Sequence, residues 1–238
     1  MIQNTVTLCD STFEPLRKIA FACAVCTDTR DKWLESTAQE REEVSLKALE
    51  SGHLSVAEHV IFSFFINGIS RACSHQIVRY RHCSFSQLSQ RYVKVGTKEE
   101  CDFALSRYRD GLFHVAFHRA KKYFVFPEEV DEENEFLKMV LESWARYHEL
   151  IDKGWKAEDA RAVLPNCTKT SILITLNLRE LIHLANERLC SRAQGEIRGV
   201  VQKMCESVIA DTPSLAQFLV PKCELYGRCF EKKSCGRK

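Results

Sequence analysis

Arginine side chains lie close together in the sequence between Gln76 and Tyr92. Arg79, Arg81 and Arg91 are interleaved there with serine and glutamine, and the stretch contains no lysine, aspartate or glutamate. Its charge is therefore of one sign. Because a planar guanidinium can hold a phosphate through two parallel hydrogen bonds, and neighbouring hydroxyls and amides add donors, the stretch is predicted to bind an anion. The alternative is a basic surface patch without a ligand.

The order of residues in this stretch is specific. Arg79-Tyr80-Arg81, seven further residues and then Ser89, followed by Arg91, resembles the Arg-His-Arg, seven residues, Ser signature of the flavin-dependent thymidylate synthases. The resemblance continues through residues 51–59, 161–166 and 177–198, so it extends over most of the chain. Tyr80 departs from the signature, which usually has histidine at that position.

The resemblance implies a reaction and its partners. The reaction would be reductive methylation of dUMP to dTMP, with 5,10-methylenetetrahydrofolate as methylene donor and FAD, itself reduced by NADPH, as hydride source. The implied partners are dUMP and folate, with no nucleic acid and no membrane, and the implied assembly is a cytoplasmic homotetramer with shared active sites. The alternative is a non-catalytic nucleotide-binding or single-stranded RNA-binding module that uses the same arginines.

Site residues follow from the resemblance, position by position. Arg188 matches an arginine that lies against the pyrimidine and favours loss of its ring proton, which is a catalytic role. The positions matched to flavin binding are His53, Ser55, Arg79, Tyr80, Arg81, Gln87, Asn177, Arg179 and His183. The positions matched to dUMP binding are Gln76, Arg79, Gln87, Leu88, Ser89, Gln90, Arg91, Arg161 and Arg188.

The anion-binding stretch offers no good nucleophile. Cys83 is its only cysteine, and it precedes the run that matches dUMP binding. Ser89 has no histidine placed by the sequence to act as its base, and an unassisted serine is a weak nucleophile. Ser89 is therefore assigned to positioning of phosphate or substrate, and activation of the pyrimidine to Arg188 and the reduced flavin.

Two further departures from the family bear on activity. Gln87 stands where many relatives have glutamate, which removes a charge, and Gly195 stands where many have tryptophan. A glycine in a helix interior costs roughly 1 kcal/mol relative to alanine, so altered packing or a weaker subunit contact is expected around Gly195. Tyrosine at position 80 can still stack on a ring or donate one hydrogen bond.

The elements that position these residues are predicted to form an α/β (α+β) fold, with a mixed sheet and several long helices in a single domain. Buried strands are expected at 59–67 and 170–176, with a further short strand at 3–9. Helices are expected from Ser11 or Thr12 through Ala24 and at 31–50, 69–79, 131–153 and 177–188. Residues 81–92 are predicted as a loop or irregular strand, and residues 94–127 show no clean period.

Composition limits the class of protein. The chain has 238 residues and a formal charge of +2, which argues against a general nucleic-acid binder. No apolar run approaches the roughly 20 residues of a membrane-spanning helix, and no signal peptide is apparent. The 12 cysteines are predicted to be mostly reduced and cytosolic. Cys23 and Cys26 are expected to pack in a core, and the alternative is a redox or metal half-site.

The C-terminal segment is distinct from the nucleotide signature. We predict a synthase domain over residues 1–220 and a cysteine-rich tail over residues 221–238. Three tail thiols could bind zinc with a fourth ligand from outside the tail, although their spacing is wider than that of usual zinc pairs, and free surface thiols are the alternative. The four candidate ligands are Cys190, Cys223, Cys229 and Cys235.

Overall fold

A computed structural model describes residues 4–128, 130 and 135–238, and these residues combine a four-stranded sheet with helices, which confirms the α/β (α+β) class. The strands are β1 (Thr5–Ser11), β2 (Ile61–Ser70), β3 (Cys83–Gln87) and β4 (Lys169–Asn177). The helices are α1 (Pro15–Cys26), α2 (Arg30–Glu35), α3 (Ala38–Glu50), α4 (Arg71–Ile77), α5 (Lys98–Arg109), α6 (Phe113–Ala120), α7 (Glu135–Asp152), α8 (Ala157–Ala160), α9 (Leu178–Arg188), α10 (Gly195–Asp211) and α11 (Lys222–Leu225). Short 3₁₀ turns occupy Leu54–His59, Arg161–Val163 and Pro213–Leu215.

The chain divides into two compact units, each assembled from separate stretches of sequence. Among the described residues, unit 1 takes in those of 1–5, 67–76 and 87–172. Unit 2 takes in those of 6–66, 77–86 and 173–238. The predicted anion-binding stretch is therefore distributed over both units, since residues 77–86 belong to unit 2.

The four strands form one sheet in the order β1-β2-β4-β3. In β2, Phe62, Phe64 and Ile66 are buried, whereas Ile61 and Phe65 between them are exposed. β4 shows the same alternation, which is typical of a sheet that packs on one face. Both strands were predicted as buried strands at about the observed positions, and the structure buries one face of each.

Unit 1 contains a core built on α5, α6 and α7. The α7 residues Leu137, Leu141 and Trp144 are fully buried there, and Trp144 Nε1 donates to the carbonyl oxygen of Val95 at 2.7 Å. Gly96 follows with a φ of +65°, and a Cβ at that position would lie 2.7 Å from the Trp144 ring. Glycine is therefore required at this point in the turn before α5.

Unit 2 packs α1 against α3 and α9 against α10. The hydroxyl of Ser45 on α3 donates to the carbonyl oxygen of Leu16 on α1 at 2.6 Å. Asn186 on α9 donates to the carbonyl oxygens of Phe218 at 3.3 Å and Val220 at 2.8 Å, which fixes the chain that follows α10. These contacts anchor α9, whose residues Arg179, His183 and Arg188 belong to the predicted site.

Several helix boundaries differ from the prediction for local reasons. The stretch 31–50 is two helices, because Thr37 forms a capping box with Glu40 and starts α3 anew. A second capping box, Thr97 with Glu100, starts α5 in the region where no period was recognised. α1 begins at Pro15 rather than after Ser11 or Thr12, since proline suits the first helical position. Residues 131–134 of the predicted helix and residue 3 of the first predicted strand lie outside the described residues.

Two predictions about single residues are corrected. Gly195 is the first residue of α10, not an interior one, and nothing lies within 4 Å of a Cβ built there, so the helix-interior cost does not apply. Cys26 is exposed at the end of α1, and Cys23 is only half-buried, so neither forms part of a core. In the part of the chain that the structure describes, no helix has both the length and the apolar character needed to cross a membrane.

Candidate functional site

Arg71, at the start of α4 in unit 1, is a half-buried cation. Its Nη2 donates to the carbonyl oxygen of Leu88 at 2.8 Å. Its Nε is buried and, among the described residues, has no hydrogen-bond partner. Burial lowers the pKa of Arg71, and the nearby charge of Arg161 lowers it further. Two like charges thus approach each other beside an unused donor, an arrangement that fits an anion.

Glu158 of α8 holds two further arginines of unit 1, Arg91 and Arg161. Its carboxylate pairs with Arg91 Nε at 2.7 Å, and its carbonyl oxygen accepts from Arg161 Nε at 3.0 Å. The hydrogen bond from Arg91, followed by the Arg91 charge, lowers the pKa of Glu158. Arg71, Arg91 and Arg161 are called the arginine cluster below. Two of its members, Arg91 and Arg161, were predicted as dUMP ligands, and the structure brings both to Glu158.

The segment from Gln87 to Arg91 is held in place by hydrogen bonds within unit 1. The Gln87 side-chain nitrogen donates to Ser74 at 2.8 Å and to Thr170 at 3.3 Å, so this nitrogen already has partners within the chain. Leu88 N donates to the Ser171 carbonyl oxygen at 2.9 Å. The backbone that presents Ser89 and Gln90 is therefore fixed on β4.

Ser89 and Gln90 lie at the turn that follows. Ser89 Oγ accepts from Arg91 N at 3.2 Å, and the Ser89 carbonyl oxygen accepts from Val93 N at 3.0 Å. Gln90 Nε2 is buried without a hydrogen-bond partner in the described structure. The side-chain amide of Gln90 is thus an unpaired donor in this turn, like Arg71 Nε at the start of α4. Gln76, the remaining predicted dUMP ligand of unit 1, lies half-buried in the last turn of α4.

In unit 2, Tyr80 lies between two side chains of α9. Arg188 Nε donates to the Tyr80 hydroxyl at 2.9 Å, and the Arg188 Cζ lies 5.6 Å from the centre of the Tyr80 ring. The ring of His183, one helical turn earlier, meets Tyr80 edge to face at 5.6 Å. Tyr80, His183 and Arg188 are called the Tyr80 group. Burial raises the pKa of Tyr80, while Arg188 acts in the opposite direction.

Arg79 and Arg81 flank the buried Tyr80 and are both exposed. Among the described residues, neither forms an ion pair with a carboxylate. Unpaired guanidiniums at adjacent exposed positions fit a phosphate-bearing ligand. Cys83 beyond them is not a candidate nucleophile, because burial and then Glu180 raise the pKa of its thiol to about 12.

The other flavin candidates surround the start of α9. Asn177 is the N-cap of α9, and its Oδ1 accepts from Glu180 N at 2.9 Å, so this oxygen is already used. Arg179 pairs with Glu58 at 2.5 Å, which joins α9 to the 3₁₀ turn Leu54–His59. His53 and Ser55 lie exposed at that turn. The structure therefore places Arg179 close to the turn that holds the two upstream candidates.

The predicted zinc site at the tail is not formed. Across the described ranges, no three histidine, cysteine, aspartate or glutamate side chains are grouped so that they could hold a metal ion. All twelve cysteines are free. Cys235 instead interacts with Ser191, whose hydrogen bond is the first cause that lowers the pKa of the Cys235 thiol.

Arg71 and Glu158 are the members of this arrangement that the sequence argument missed. A usable signal was present for Arg71, because it is the only lysine, arginine, aspartate or glutamate between His59 and Arg79. A lone charge within a run that otherwise reads as strand and buried helix needs a reason. Glu158 offered no such signal, since it lies among other charged residues.

Comparison with known proteins agrees with the motif. The family described as "Thymidylate synthase complementing protein" matches residues 7–214. A flavin-dependent thymidylate synthase of Pyrococcus furiosus is 34% identical over 243 residues, covering 95% of this chain and 89% of that protein. One of Nitratidesulfovibrio vulgaris is 40% identical over 195 residues, covering 79% and 73%. The fold is similar to that of a Helicobacter pylori flavin-dependent thymidylate synthase solved with FAD and dUMP, with a TM-score of 0.74, 21% identity and coverage of 90% of this chain and 99% of that chain.

Proposed function

The chain belongs to the family of flavin-dependent thymidylate synthases, and we propose that it converts dUMP to dTMP. The observation within the molecule that supports this most strongly is the arginine cluster of unit 1. A half-buried guanidinium with an unused Nε, beside a second guanidinium, is costly unless an anion compensates it. A nucleoside monophosphate supplies that anion. The alternative of a non-catalytic RNA-binding module is not favoured by the relatives.

The dUMP phosphate is proposed to bind the arginine cluster, with Ser89 and Gln90 as further donors. Arg71 Nε and Gln90 Nε2 are both buried and unpaired in the described chain, so a phosphate oxygen within reach would satisfy groups that the protein leaves open. Glu158 keeps Arg91 and Arg161 in place while the ligand is absent. Gln76, Gln87 and Leu88 complete the proposed dUMP contacts.

The residues of unit 2 are proposed to hold FAD. Their fit to FAD rests on their hydrogen-bond donors. Arg79 and Arg81 are exposed cations without carboxylate partners in the described residues, and a diphosphate requires cationic donors of this kind. When bound, FAD supplies the hydride that converts the transferred methylene to a methyl group. The other proposed contacts in unit 2 are His53, Ser55, Tyr80, Asn177, Arg179 and His183. Gln87, which was also matched to the flavin, belongs to unit 1. Of the unit 2 contacts, Asn177 and Arg179 would need to share groups that already have partners within the chain.

Arg188 is proposed as the catalytic residue. A cation against a pyrimidine carbonyl stabilises the negative charge that develops when the ring carbon reacts, and it assists loss of the ring proton. The reaction also requires a one-carbon donor and a reductant. The carbon added to dUMP has to arrive as a methylene group and gain a hydride, and the resemblance supports methylenetetrahydrofolate as the donor and NADPH as the source of reducing equivalents.

A homotetramer is proposed as the assembly. In unit 2, Ile61, Phe65 and Leu173 leave about 40% of their surface exposed on strands β2 and β4, with the hydrogen-bonded pair Ser63 and Thr175 between them. An apolar sheet face of this kind is suited to a second copy of the chain. Light scattering should then report four times the chain mass of 27.4 kDa, and Phe65→Glu should lower the measured mass; a monomer mass for the unmodified protein would contradict the proposal.

The remaining expectations are extensions of the same proposal. The synthase domain is proposed to comprise residues 1–220, with 221–238 as an added tail. A cytoplasmic location is favoured by the twelve unpaired thiols, because thiols persist in reducing compartments.

A spectroscopic experiment tests the proposed function. The purified protein should be yellow, with the absorbance bands of oxidised flavin, and NADPH should bleach them. Adding dUMP and methylenetetrahydrofolate without oxygen should restore the bands with formation of one dTMP per flavin. A protein that stays colourless after incubation with FAD, and that binds RNA with an affinity that falls steeply with salt, would contradict the proposal.

A further inference from the structure

The Tyr80 group has a geometry that the family signature does not explain, because Tyr80 occupies the position of the signature histidine. Tyr80 is only 9% exposed, and its hydroxyl accepts a hydrogen bond from Arg188 Nε at 2.9 Å. The guanidinium also lies over the ring, with Cζ at 5.6 Å from the centroid. The phenol therefore contacts Arg188 in two ways, through its oxygen and through its face.

The guanidinium atom that forms this hydrogen bond determines which donors of Arg188 remain available to a ligand. An arginine has five N–H donors in a rigid plane, one on Nε and four on the two Nη atoms. When Nε is held, the plane can no longer rotate about the side-chain axis. Among the described residues, no hydrogen bond or ion pair uses an Nη atom of Arg188. The four outer donors are thus oriented and still available to a ligand.

The surroundings of Tyr80 keep its hydroxyl neutral. The charged groups that act on it are Arg188, Glu180 and Glu187, all on α9, and His183 meets the ring edge at 5.6 Å. Burial raises the pKa of Tyr80, so the hydroxyl does not ionise in the physiological range. A histidine in the same place would have its pKa lowered by burial and by the charge of Arg188, and once protonated at acidic pH it would oppose that charge.

We propose that Tyr80 is a positioning residue that fixes the plane of the Arg188 guanidinium through Nε and leaves the four Nη donors directed at the substrate. This rests on the proposed function, in which Arg188 acts on the pyrimidine of dUMP. The tyrosine replaces the signature histidine by a neutral acceptor, so the orientation of Arg188 does not change with pH across the physiological range.

A measurement on the ligand-free protein tests the contact itself. In ¹⁵N-labelled protein, the Nε–Hε signal of Arg188 is identified as the one that disappears in Arg188→Lys. Tyr80→Phe keeps the ring and removes only the hydroxyl. Exchange of the Arg188 Hε proton with water should become about tenfold faster in Tyr80→Phe, since one hydrogen bond to a charged group is lost. An unchanged exchange rate would overturn the proposal, whether or not the protein proves to be a synthase.

Kinetics test the consequence. Tyr80→Phe should lower kcat about tenfold while the KM for dUMP changes less than about twofold, because the orienting contact acts on the reacting ring and not on the phosphate. In an Arg188→Lys background, Tyr80→Phe should add less than about a twofold effect, because the Nε donor is already absent. If the effects of Tyr80→Phe and Arg188→Lys on kcat multiplied in the double variant, as independent effects do, the proposal would be overturned. Tyr108→Phe, which removes a phenol hydroxyl from α5 in unit 1, is the control and should leave kcat unchanged.

Replacing Tyr80 with histidine, the residue of the family signature, gives a second kinetic test. In Tyr80→His, kcat relative to that of the unmodified protein should fall about fivefold or more between pH 8 and pH 5, as the imidazole gains its charge next to Arg188. A profile identical to that of the unmodified protein would overturn the proposed orienting role. Absence of turnover in the unmodified protein would instead contradict the proposed function. The exchange measurement would still show whether the Tyr80 hydroxyl holds Arg188 Nε.

Discussion

Arg71 introduces a positive charge into a half-buried part of unit 1 where the described residues provide no carboxylate for it. Its guanidinium reaches one backbone carbonyl, that of Leu88, and its Nε remains unpaired. Burial of a charge without a partner is strongly unfavourable, and here Arg161 adds repulsion. The simplest physical reason for keeping such a residue is a bound anion. The dUMP phosphate has the required charge and several acceptor oxygens.

Arg71→Gln should therefore weaken dUMP binding. Loss of a charge-assisted contact to phosphate should raise the KM for dUMP by about ten- to hundredfold, with kcat changed much less, because the phosphate is held equally in the ground state and the transition state. The matched control is Arg107→Gln on α5, whose guanidinium pairs with Asp110. Steady-state kinetics with dUMP as the varied substrate give both constants, and equal KM values for the two variants would contradict a phosphate role for Arg71.

Ser89 is expected to position the turn and the phosphate and not to act as a nucleophile. Its Oγ accepts from Arg91 N, and none of the contacts of Ser89 in the described structure supplies a general base. Ser89→Ala should retain turnover within about tenfold of the unmodified protein, since it loses one hydrogen bond. If the hydroxyl were a nucleophile, its removal would cost about 10⁴-fold or more. A single-turnover assay for dTMP separates these two outcomes.

At the scale of elements, the sequence predicted periodic segments well and boundaries less well. β2, β4, α7 and α9 occur near their predicted places because their apolar residues repeat with a clear period. α5 and α6 were missed, since their aromatic residues interleave with basic ones and hide the period. The split of the stretch 31–50 was missed because a capping box competes with a continuous pattern. β3 was predicted only as an irregular strand, since polar residues fill its exposed positions.

The turn before α5 gives a stability prediction with an internal control. Gly96 and Gly52 both have positive φ, at +65° and +83°, so alanine is strained at either position. Gly52→Ala meets no atom within 4 Å and should cost about 1 kcal/mol of unfolding free energy. Gly96→Ala would place its Cβ against Trp144 and should cost about 1–3 kcal/mol more. Urea unfolding measures the loss of unfolding free energy in both variants. Equal losses would contradict the predicted clash with Trp144.

His148 on α7 should make the stability of unit 1 depend on pH. Burial lowers the pKa of His148 below its ordinary value of 6.5, although a hydrogen bond with the Val95 backbone opposes the shift. Above pH 6.5 the ring is neutral in both states, and its contribution is fully present. As the pH falls below 6.5, the unfolded chain takes up the proton first, so the free energy of unfolding decreases until the folded ring is also protonated. His148→Asn should reduce the loss measured by urea unfolding between pH 7 and pH 5, and an identical pH dependence would contradict this role.

At the scale of the whole molecule, the sequence predicted the family but only two members of the arginine cluster, Arg91 and Arg161. The signature around Arg79 and Ser89 is specific because its residue types and spacing are both unusual. Arg71 and Glu158 were not predicted, since their roles depend on contacts between segments that are far apart in the chain. The structure places Arg91 and Arg161 together at Glu158, whereas the tail cysteines remain ungrouped. A metal site cannot be inferred from cysteine spacing alone when the spacing is irregular.

The most direct test of the central claim is the release of tritium from dUMP labelled at C5. The purified protein, supplied with FAD, NADPH and methylenetetrahydrofolate, should release tritium into water in a one-to-one ratio with dTMP, and Arg188→Ala should release it at least about a hundredfold more slowly. A flavin-loaded protein that binds dUMP but releases no tritium, or an Arg188→Ala variant as fast as the unmodified protein, would contradict the account.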